Sequence, residues 1–91
     1  MTLTELRYIV AVAREKHFGR AAKSCFVTQP TLSLGIKKLE EELGSSLFER
    51  GAKNEVRATA IGERVINQAQ KVLEEADAIK TIAEFNSDPL A

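Results

Sequence analysis

Few side chains of this chain could carry out covalent chemistry. The sequence contains one histidine, His17, and one cysteine, Cys25, which is too few for the four ligands of a structural zinc site. It shows no glycine-rich phosphate loop and no nucleophile elbow. Three consecutive glutamates at 40–42 point to different sides of a helix, which favours a solvated face over a metal site. The sequence therefore predicts no enzyme, no catalytic residue, no cofactor and no bound metal.

His17 and Cys25 each have a structural interpretation. His17 stands between two helical segments, where a surface or capping role is expected. Cys25 lies beside Ala22, Phe26 and Val27, which favours a small buried hydrophobe. The alternative is a redox switch centred on Cys25, which would require an accessible thiolate. A single cysteine permits no internal disulfide and gives no support to secretion.

A second group of polar side chains has the residue types and spacing for reading DNA. Glutamine can form two hydrogen bonds with adenine, hydroxyls reach several base edges, proline or methyl groups can touch a thymine methyl, and lysines suit phosphates. The candidate DNA-binding residues in this segment are Thr28, Gln29, Pro30, Thr31, Ser33, Lys37 and Lys38. The alternative is that the segment merely starts a helix, because threonine is a good N-cap and proline fits the first helical turn.

These residues require a short helix, a tight turn and a longer helix to position them. Hydrophobic spacing and capping residues predict helices at about 3–16, 20–25, 29–43 and 60–85, with strands at 46–50 and 55–59. The expected N-caps are Thr2, Thr28 and Thr59. The third helix is expected to bury Leu32, Ile36, Leu39 and Leu43 and to end at Gly44. The hairpin places Arg50 and Lys53 near its tip, where they could contact the DNA backbone or minor groove.

The last helix carries a hydrophobic seam typical of helix pairing. The seam residues are spaced by four and three in alternation: Val65, Ala69, Val72, Ala76, Ile79 and Ala83. A second apolar strip contains Ile61, Ile66 and Leu73. We expect one strip to face its own domain and the other, the seam, to face a second copy. The sequence therefore predicts a homodimer formed through this helix.

Length and charge bound the remaining possibilities. The 91 residues suffice for one domain, and the net charge is zero. Through residue 59, ten Lys and Arg stand against seven Asp and Glu, a net of +3, whereas three stand against six in the remainder, a net of −3. A basic head with an acidic tail favours a polyanionic partner for the head. With no signal peptide and no membrane span in the sequence, a cytoplasmic protein is expected.

Several motifs closely resemble the N-terminal domain of LysR-type regulators. They are FGRAA at 18–22, VTQPTLS at 27–33, IKKLE at 36–40, LG at 43–44, LFER at 47–50 and TAIG at 59–62. The likeness extends from about residue 3 to residue 85. It implies a mainly α winged helix-turn-helix fold that binds pseudo-palindromic duplex DNA to regulate bacterial transcription. It also implies dimers through the last helix, antiparallel, and tetramers of the full-length protein.

The resemblance divides the chain and narrows the function. Its expected parts are a winged helix-turn-helix domain at 1–59, a linker and dimerisation helix at 60–86, and a hinge to an absent effector domain at 87–91. RYIV at 7–10, HF at 17–18 and SCFVTQPTLS at 24–33 are similar to peroxide-sensing members of the family. The wing between residues 47 and 59 is one residue longer than the common pattern, so the match of Lys53 to the usual wing arginine stays open. Two further functions also stay open, a family member with a small-molecule inducer and a helical module for protein interaction.

Overall fold

The computed structural model describes residues 1–86 and shows four helices and one hairpin. The elements are α1 (Leu3–Glu15), α2 (Phe18–Ser24), α3 (Gln29–Leu43), β1 (Phe48–Arg50), a 3-10 turn (Ala52–Asn54), β2 (Val56–Ala58) and α4 (Ala60–Asn86). The predicted order of elements is confirmed. None of the helices in this range is long and apolar enough to cross a membrane. The hinge predicted at 87–91 lies outside the described residues.

Each helix begins at a residue whose side chain accepts a hydrogen bond from a backbone N–H three residues ahead. These N-caps are Thr2, His17, Thr28 and Thr59, at 3.0, 3.1, 3.4 and 3.0 Å. The three predicted threonine caps are confirmed, as is the capping role of the histidine. Because the His17 imidazole caps at Nδ1, α2 begins two residues earlier than predicted, which adds Phe18 to the helix.

The core lies where α1 packs against the other three helices and β2. Its largest fully buried side chains are Ile9, Val12, Leu32, Leu39 and Leu47. The prediction that Leu43 is buried is wrong, because 39% of it is exposed. Leu43 is the last residue of α3, and Gly44 then adopts a left-handed conformation (φ 69°), as expected of a C-cap. The chain turns there and inserts Leu47 into the core instead.

The hairpin is shorter than predicted at both its base and its tip. β1 and β2 pair antiparallel over three residues each, with Glu49 opposite Arg57. The Leu47 N–H donates to Glu40 Oε2 at 2.6 Å, so this glutamate joins α3 to the hairpin instead of lying on a solvated face. At the tip, the Glu55 N–H donates to the Ala52 carbonyl at 3.2 Å and belongs to the turn.

α4 packs against the domain only along its first half. Its buried residues are Gly62, Ile66 and Ala69, and Leu73 is half-buried against the core. The expectation that the whole seam lacks a partner within the chain is therefore wrong at its start, where Val65 is half-buried against the core and Ala69 is 2% exposed. The inward face follows the spacing 62, 66, 69 and 73, which lies beside the predicted seam on the helix surface.

Candidate nucleic-acid interface

The first turn of α3 points outward and is held by its own side chains. Thr28, Gln29, Pro30 and Thr31 are all exposed. The Thr28 hydroxyl accepts the Thr31 N–H and donates to the Thr31 hydroxyl at 2.9 Å, which fixes both side chains at the helix start. Pro30 lies in this turn, where its missing N–H costs no hydrogen bond. The turn therefore presents polar groups on a rigid support.

The exposed face continues along α3 with a residue that was not predicted from the sequence, Leu34. Lys37 and Lys38 are exposed, Ser33 is half-buried, and Leu34 is 55% exposed. Leu34 lies two residues after buried Leu32, which places it about 200° around the helix and away from the core stripe. That spacing could have identified it as a surface residue. An exposed leucine among these groups offers methyl contacts of the kind that thymine accepts.

The hairpin brings Arg50 close to the start of α3. Arg50 and Gln29 line one small cleft, whose other walls include His17, Gly19 and Glu55. A β-carbon added at Gly19 would lie 3.5 Å from Gln29 Oε1 and 2.9 Å from the His17 ring. Because Gly19 has no side chain, the cleft has room for the Gln29 side chain and for the His17 ring that caps α2.

A second groove runs along α3 on the same side of the domain. Arg50 lines it together with Ser33, Leu34 and Lys37. Lys38 and Lys53 are exposed but line neither groove. Lys53 stands at the hairpin tip in a left-handed conformation (φ 57°). The structure thus brings Gln29, Ser33, Lys37 and Arg50 to the clefts of one surface and separates the other two lysines from them.

The fold also brings together basic residues that the sequence analysis did not group. Lys16, Arg20 and Arg57 line a cleft between the α1–α2 connection and the hairpin, beside Arg50. The same cleft contains two carboxylates, Glu49 and Glu55. Lys16 and Arg20 lie far along the chain from Arg57 and Arg50, so no local sequence signal could have identified the whole cluster. Their presence beside Arg50 extends the positive charge away from α3.

The connection between α2 and α3 contains the cysteine that was considered for redox chemistry or packing. Its neighbour Phe26 is 94% exposed and adopts a left-handed conformation (φ 59°), which a non-glycine residue rarely does. Cys25 is half-buried against the core, so it is more accessible than predicted.

At the other end of α2, His17 Nδ1 accepts the Arg20 N–H, so the lone pair on that nitrogen already has a partner.

α4 exposes apolar side chains along one face that runs from its first turn into its outer half. Val72 and Ile79 of the predicted seam are exposed, and so is Ala83, whereas Ala76 is half-buried. Ile61, from the predicted inner strip, also faces outward. Ile82 and Phe85, which were not predicted from the sequence, are exposed near the helix end. At 100° per residue, 61, 65, 72, 79 and 83 fall within one narrow stripe.

Comparison with known proteins places this arrangement in a family of regulators. The sequence pattern described as "Bacterial regulatory helix-turn-helix protein, lysR family" matches residues 3–63. A relative from Escherichia coli K12, named "DNA-binding transcriptional dual regulator OxyR", is 43% identical over 91 residues, which is all of this chain and 30% of the relative. The chain thus spans under a third of the length of that relative.

Two solved structures have the same fold. Full-length OxyR from Pseudomonas aeruginosa matches with a TM-score of 0.93 and 59% identity, over 100% of this chain and 30% of that one. The DNA-binding domain of BenM, solved in a complex with benA site 1 DNA, matches with a TM-score of 0.88 and 38% identity. That match covers 98% of this chain and 99% of the BenM chain. The predicted winged helix-turn-helix fold with a long last helix is confirmed.

Proposed function

This chain belongs to the lysR family of bacterial regulatory helix-turn-helix proteins, and we propose that it binds double-stranded DNA with the start of α3 in the major groove. The observation that carries this proposal is the cleft shared by Gln29, on the first turn of α3, and Arg50, at the end of β1. A base-reading side chain and a phosphate-binding side chain on one surface can contact a groove and its border together. The likeness to the DNA-binding domain of BenM, which was solved in a complex with DNA, supports DNA binding by this chain.

Each candidate residue of this surface has a proposed role that its chemistry supports. Gln29 reads a base edge, most favourably adenine, while Thr28, Thr31 and Ser33 bond base edges or phosphates. Pro30 and Leu34 provide apolar contact with thymine methyls. Lys37 and Lys38 contact phosphates further along the groove, and Arg50 and Lys53 contact the flanking backbone or minor groove. Phosphate contacts fix the register, and base contacts supply sequence preference.

We also propose that two copies pair through α4 and place two heads on a pseudo-palindromic site. The exposed stripe of α4 supports pairing, because such an apolar surface is unusual on a stable monomer. The contact would use Val72, Ile79 and Ala83 of the predicted seam together with Ile61, with the helices antiparallel. Val65 contributes its exposed part, and Ala69 supports the helix from within the domain. In this proposal residues 1–59 bind DNA and residues 60–86 link and dimerise, while tetramers require the full-length protein.

The similarity to OxyR supports a role in the response to peroxide. Other relatives carry the name "Hydrogen peroxide-inducible genes activator", and we propose that this chain is the DNA-binding part of such a cytoplasmic regulator. The chain covers 27–30% of these relatives, and we propose that the part that responds to peroxide lies in the remaining length. Cys25 has a packing role in this proposal, and the domain has no enzymatic one. The alternative of a family member with a small-molecule inducer is not favoured, because relatives named OxyR or named for hydrogen peroxide match this chain.

Selection of duplexes from a random pool, followed by footprinting, tests the proposal. We expect two related half-sites about one helical turn apart, and an affinity that falls steeply as salt increases because bound phosphates release counterions. The salt dependence separates a DNA-binding domain from a helical module for protein interaction. Failure to enrich any duplex, with no salt-dependent binding to random DNA, would contradict the proposal.

A further inference from the structure

A pair of aromatic rings lies under the arginine of the hairpin. The Arg50 guanidinium carbon lies 4.6 Å from the centroid of the Phe18 ring, in cation–π geometry. The Phe18 ring in turn meets the Phe48 ring edge to face, with centroids 6.5 Å apart and an interplanar angle of 72°. Both phenylalanines are buried. The arginine therefore rests on a fixed ring of α2, which is supported by the strand that carries the arginine.

The alternation of side chains along β1 explains this arrangement. Residues two apart in a strand share a face, so Phe48 and Arg50 both turn toward α2. Phe48 enters the core, and Arg50, which ends the strand, reaches the outer side of the Phe18 ring. Phe18 occupies the first position of α2 because His17 caps the helix just before it. The N-cap of α2 and the alternation of side chains along β1 therefore both help to bring Phe18 and Arg50 into contact.

Arg50 differs from two other arginines of the head in its charge partners. Arg14 and Arg20 both pair with Glu15, at 3.3 and 4.0 Å. Among residues 1–86, no carboxylate forms an ion pair with Arg50. A cation–π contact uses the face of the guanidinium group and not its N–H groups, so either edge can still donate two hydrogen bonds to a phosphate. Arg50 is therefore oriented by a ring while its donors stay available.

We propose that Phe18 is a positioning residue for DNA binding, which acts by holding Arg50 in the orientation that meets a phosphate beside the groove read by Gln29. This inference rests on the proposed function. A free arginine side chain has many rotamers, and ordering it on binding lowers affinity. The Phe18 ring removes part of that cost in the unbound protein. Since Arg50 and Gln29 line the same cleft, the ring also sets the spacing between the wing contact and the base contact.

A double-mutant cycle on DNA affinity tests this role. The probe is a random-sequence duplex of about three helical turns, titrated with the 91-residue chain. Arg50→Ala should weaken binding and reduce the slope of log K against log salt by about one. Phe18→Leu should weaken binding by about two- to five-fold when Arg50 is present and should have no effect in the Arg50→Ala background. Phe18→Tyr, which keeps the ring, should bind like the wild type.

Arg57 supplies the matched control, because it is an exposed arginine on the other strand of the same hairpin. The effects of Phe18→Leu and Arg57→Ala should simply add. If Phe18→Leu lowers affinity equally with and without Arg50, the phenylalanine has only a core role and the inference is wrong. An Arg50→Ala variant that binds like the wild type would also overturn it. A wild-type chain that binds no duplex would instead remove the proposed function.

A spectroscopic measurement on the wild-type protein covers the case in which Phe18→Leu does not fold. A side chain above an aromatic ring experiences its ring current, so the δ protons of Arg50 should be shifted upfield by nuclear magnetic resonance. The same protons of Arg57 provide the internal reference. Arg50 δ protons at the same position as those of Arg57 would show that the ring does not hold the arginine in solution.

Discussion

The backbone of α4 lies close to the carbonyl of Leu47, just before β1, at Gly62, and Gly62→Ala is the most direct test of this packing. A β-carbon at residue 62 would lie 2.0 Å from the Leu47 carbonyl oxygen and 2.9 Å from its carbonyl carbon. Ordinary contacts of a β-carbon begin at 3.4 Å, so the helix and the strand would have to separate by about 1.4 Å. The obstacle is backbone, which no rotamer change can remove.

The separation would also disturb the hydrogen bonds that join the two elements. Thr59 donates its N–H to the Leu47 carbonyl at 3.0 Å and its hydroxyl to the Ser46 carbonyl at 2.7 Å. Overpacking costs about 1–3 kcal/mol, and each lost hydrogen bond costs about 1 kcal/mol. Alanine in a helix offsets at most about 1 kcal/mol of this relative to glycine. We therefore expect Gly62→Ala to lower the free energy of unfolding by about 2–3 kcal/mol.

Thermal and urea unfolding followed by circular dichroism measure this effect. For a chain of this size, about 2–3 kcal/mol corresponds to a fall in Tm of roughly 10–20 °C. Gly51→Ala is the matched control, because the nearest atom to its new β-carbon, Glu55 Cβ, lies at 3.6 Å and its φ is −95°. That variant should unfold within about 0.5 kcal/mol of the wild type. A Gly62→Ala domain as stable as the wild type would show that helix propensity, and not the close approach, governs this position.

Three further substitutions test the proposed surfaces. Gln29→Ala should cost about 1–3 kcal/mol on a selected duplex and little on random DNA, because a base-edge contact is lost; equal losses on both in a competition assay would contradict that role. Ile79→Asp places a charge on an exposed apolar residue of α4, which is 68% exposed, so sedimentation should show monomers while Lys80→Asp still dimerises. A dimeric Ile79→Asp variant would remove this stripe from the interface. Cys25→Ala should lower stability by about 1 kcal/mol through lost packing and leave the footprint unchanged. Rapid oxidation of the folded wild-type thiol by peroxide, measured by thiol titration, would instead favour the redox alternative.

The features predicted best from the sequence depend on residues only a few positions apart. A cap requires one polar side chain and the N–H groups of the next turn, so Thr2, Thr28 and Thr59 were identifiable without knowing the fold. The start of α2 was predicted two residues too late, because histidine is a less usual N-cap than threonine. The predicted burial of Leu43 was wrong because it depends on the path of the chain beyond the helix. Gly44 turns the chain away at that point.

The orientation of α4 could not be predicted from periodicity alone. Two neighbouring strips on one helix both show alternating spacings of three and four, and either could face the domain. The choice is made by a contact between residues 15 positions apart, in which the Leu47 carbonyl approaches Gly62 more closely than any side chain would permit. A glycine in the first turn of a long helix was the only local signal. The close approach at Gly62 therefore decides which strip of α4 packs against the domain and which strip stays exposed.

The clustering of charged residues is another feature that the sequence alone could not predict, and it bears on DNA binding. The chain as a whole is neutral, yet Lys16, Arg20 and Arg57 meet Arg50 around one cleft of the folded head. Nothing in the order of these residues predicts that meeting, because α1, α2 and the hairpin must first pack around a shared core. Counterion release depends on cations that face the same phosphates, not on the total charge of the chain. A neutral composition is therefore compatible with a DNA-binding surface, provided that the fold separates this basic head from the acidic outer half of α4.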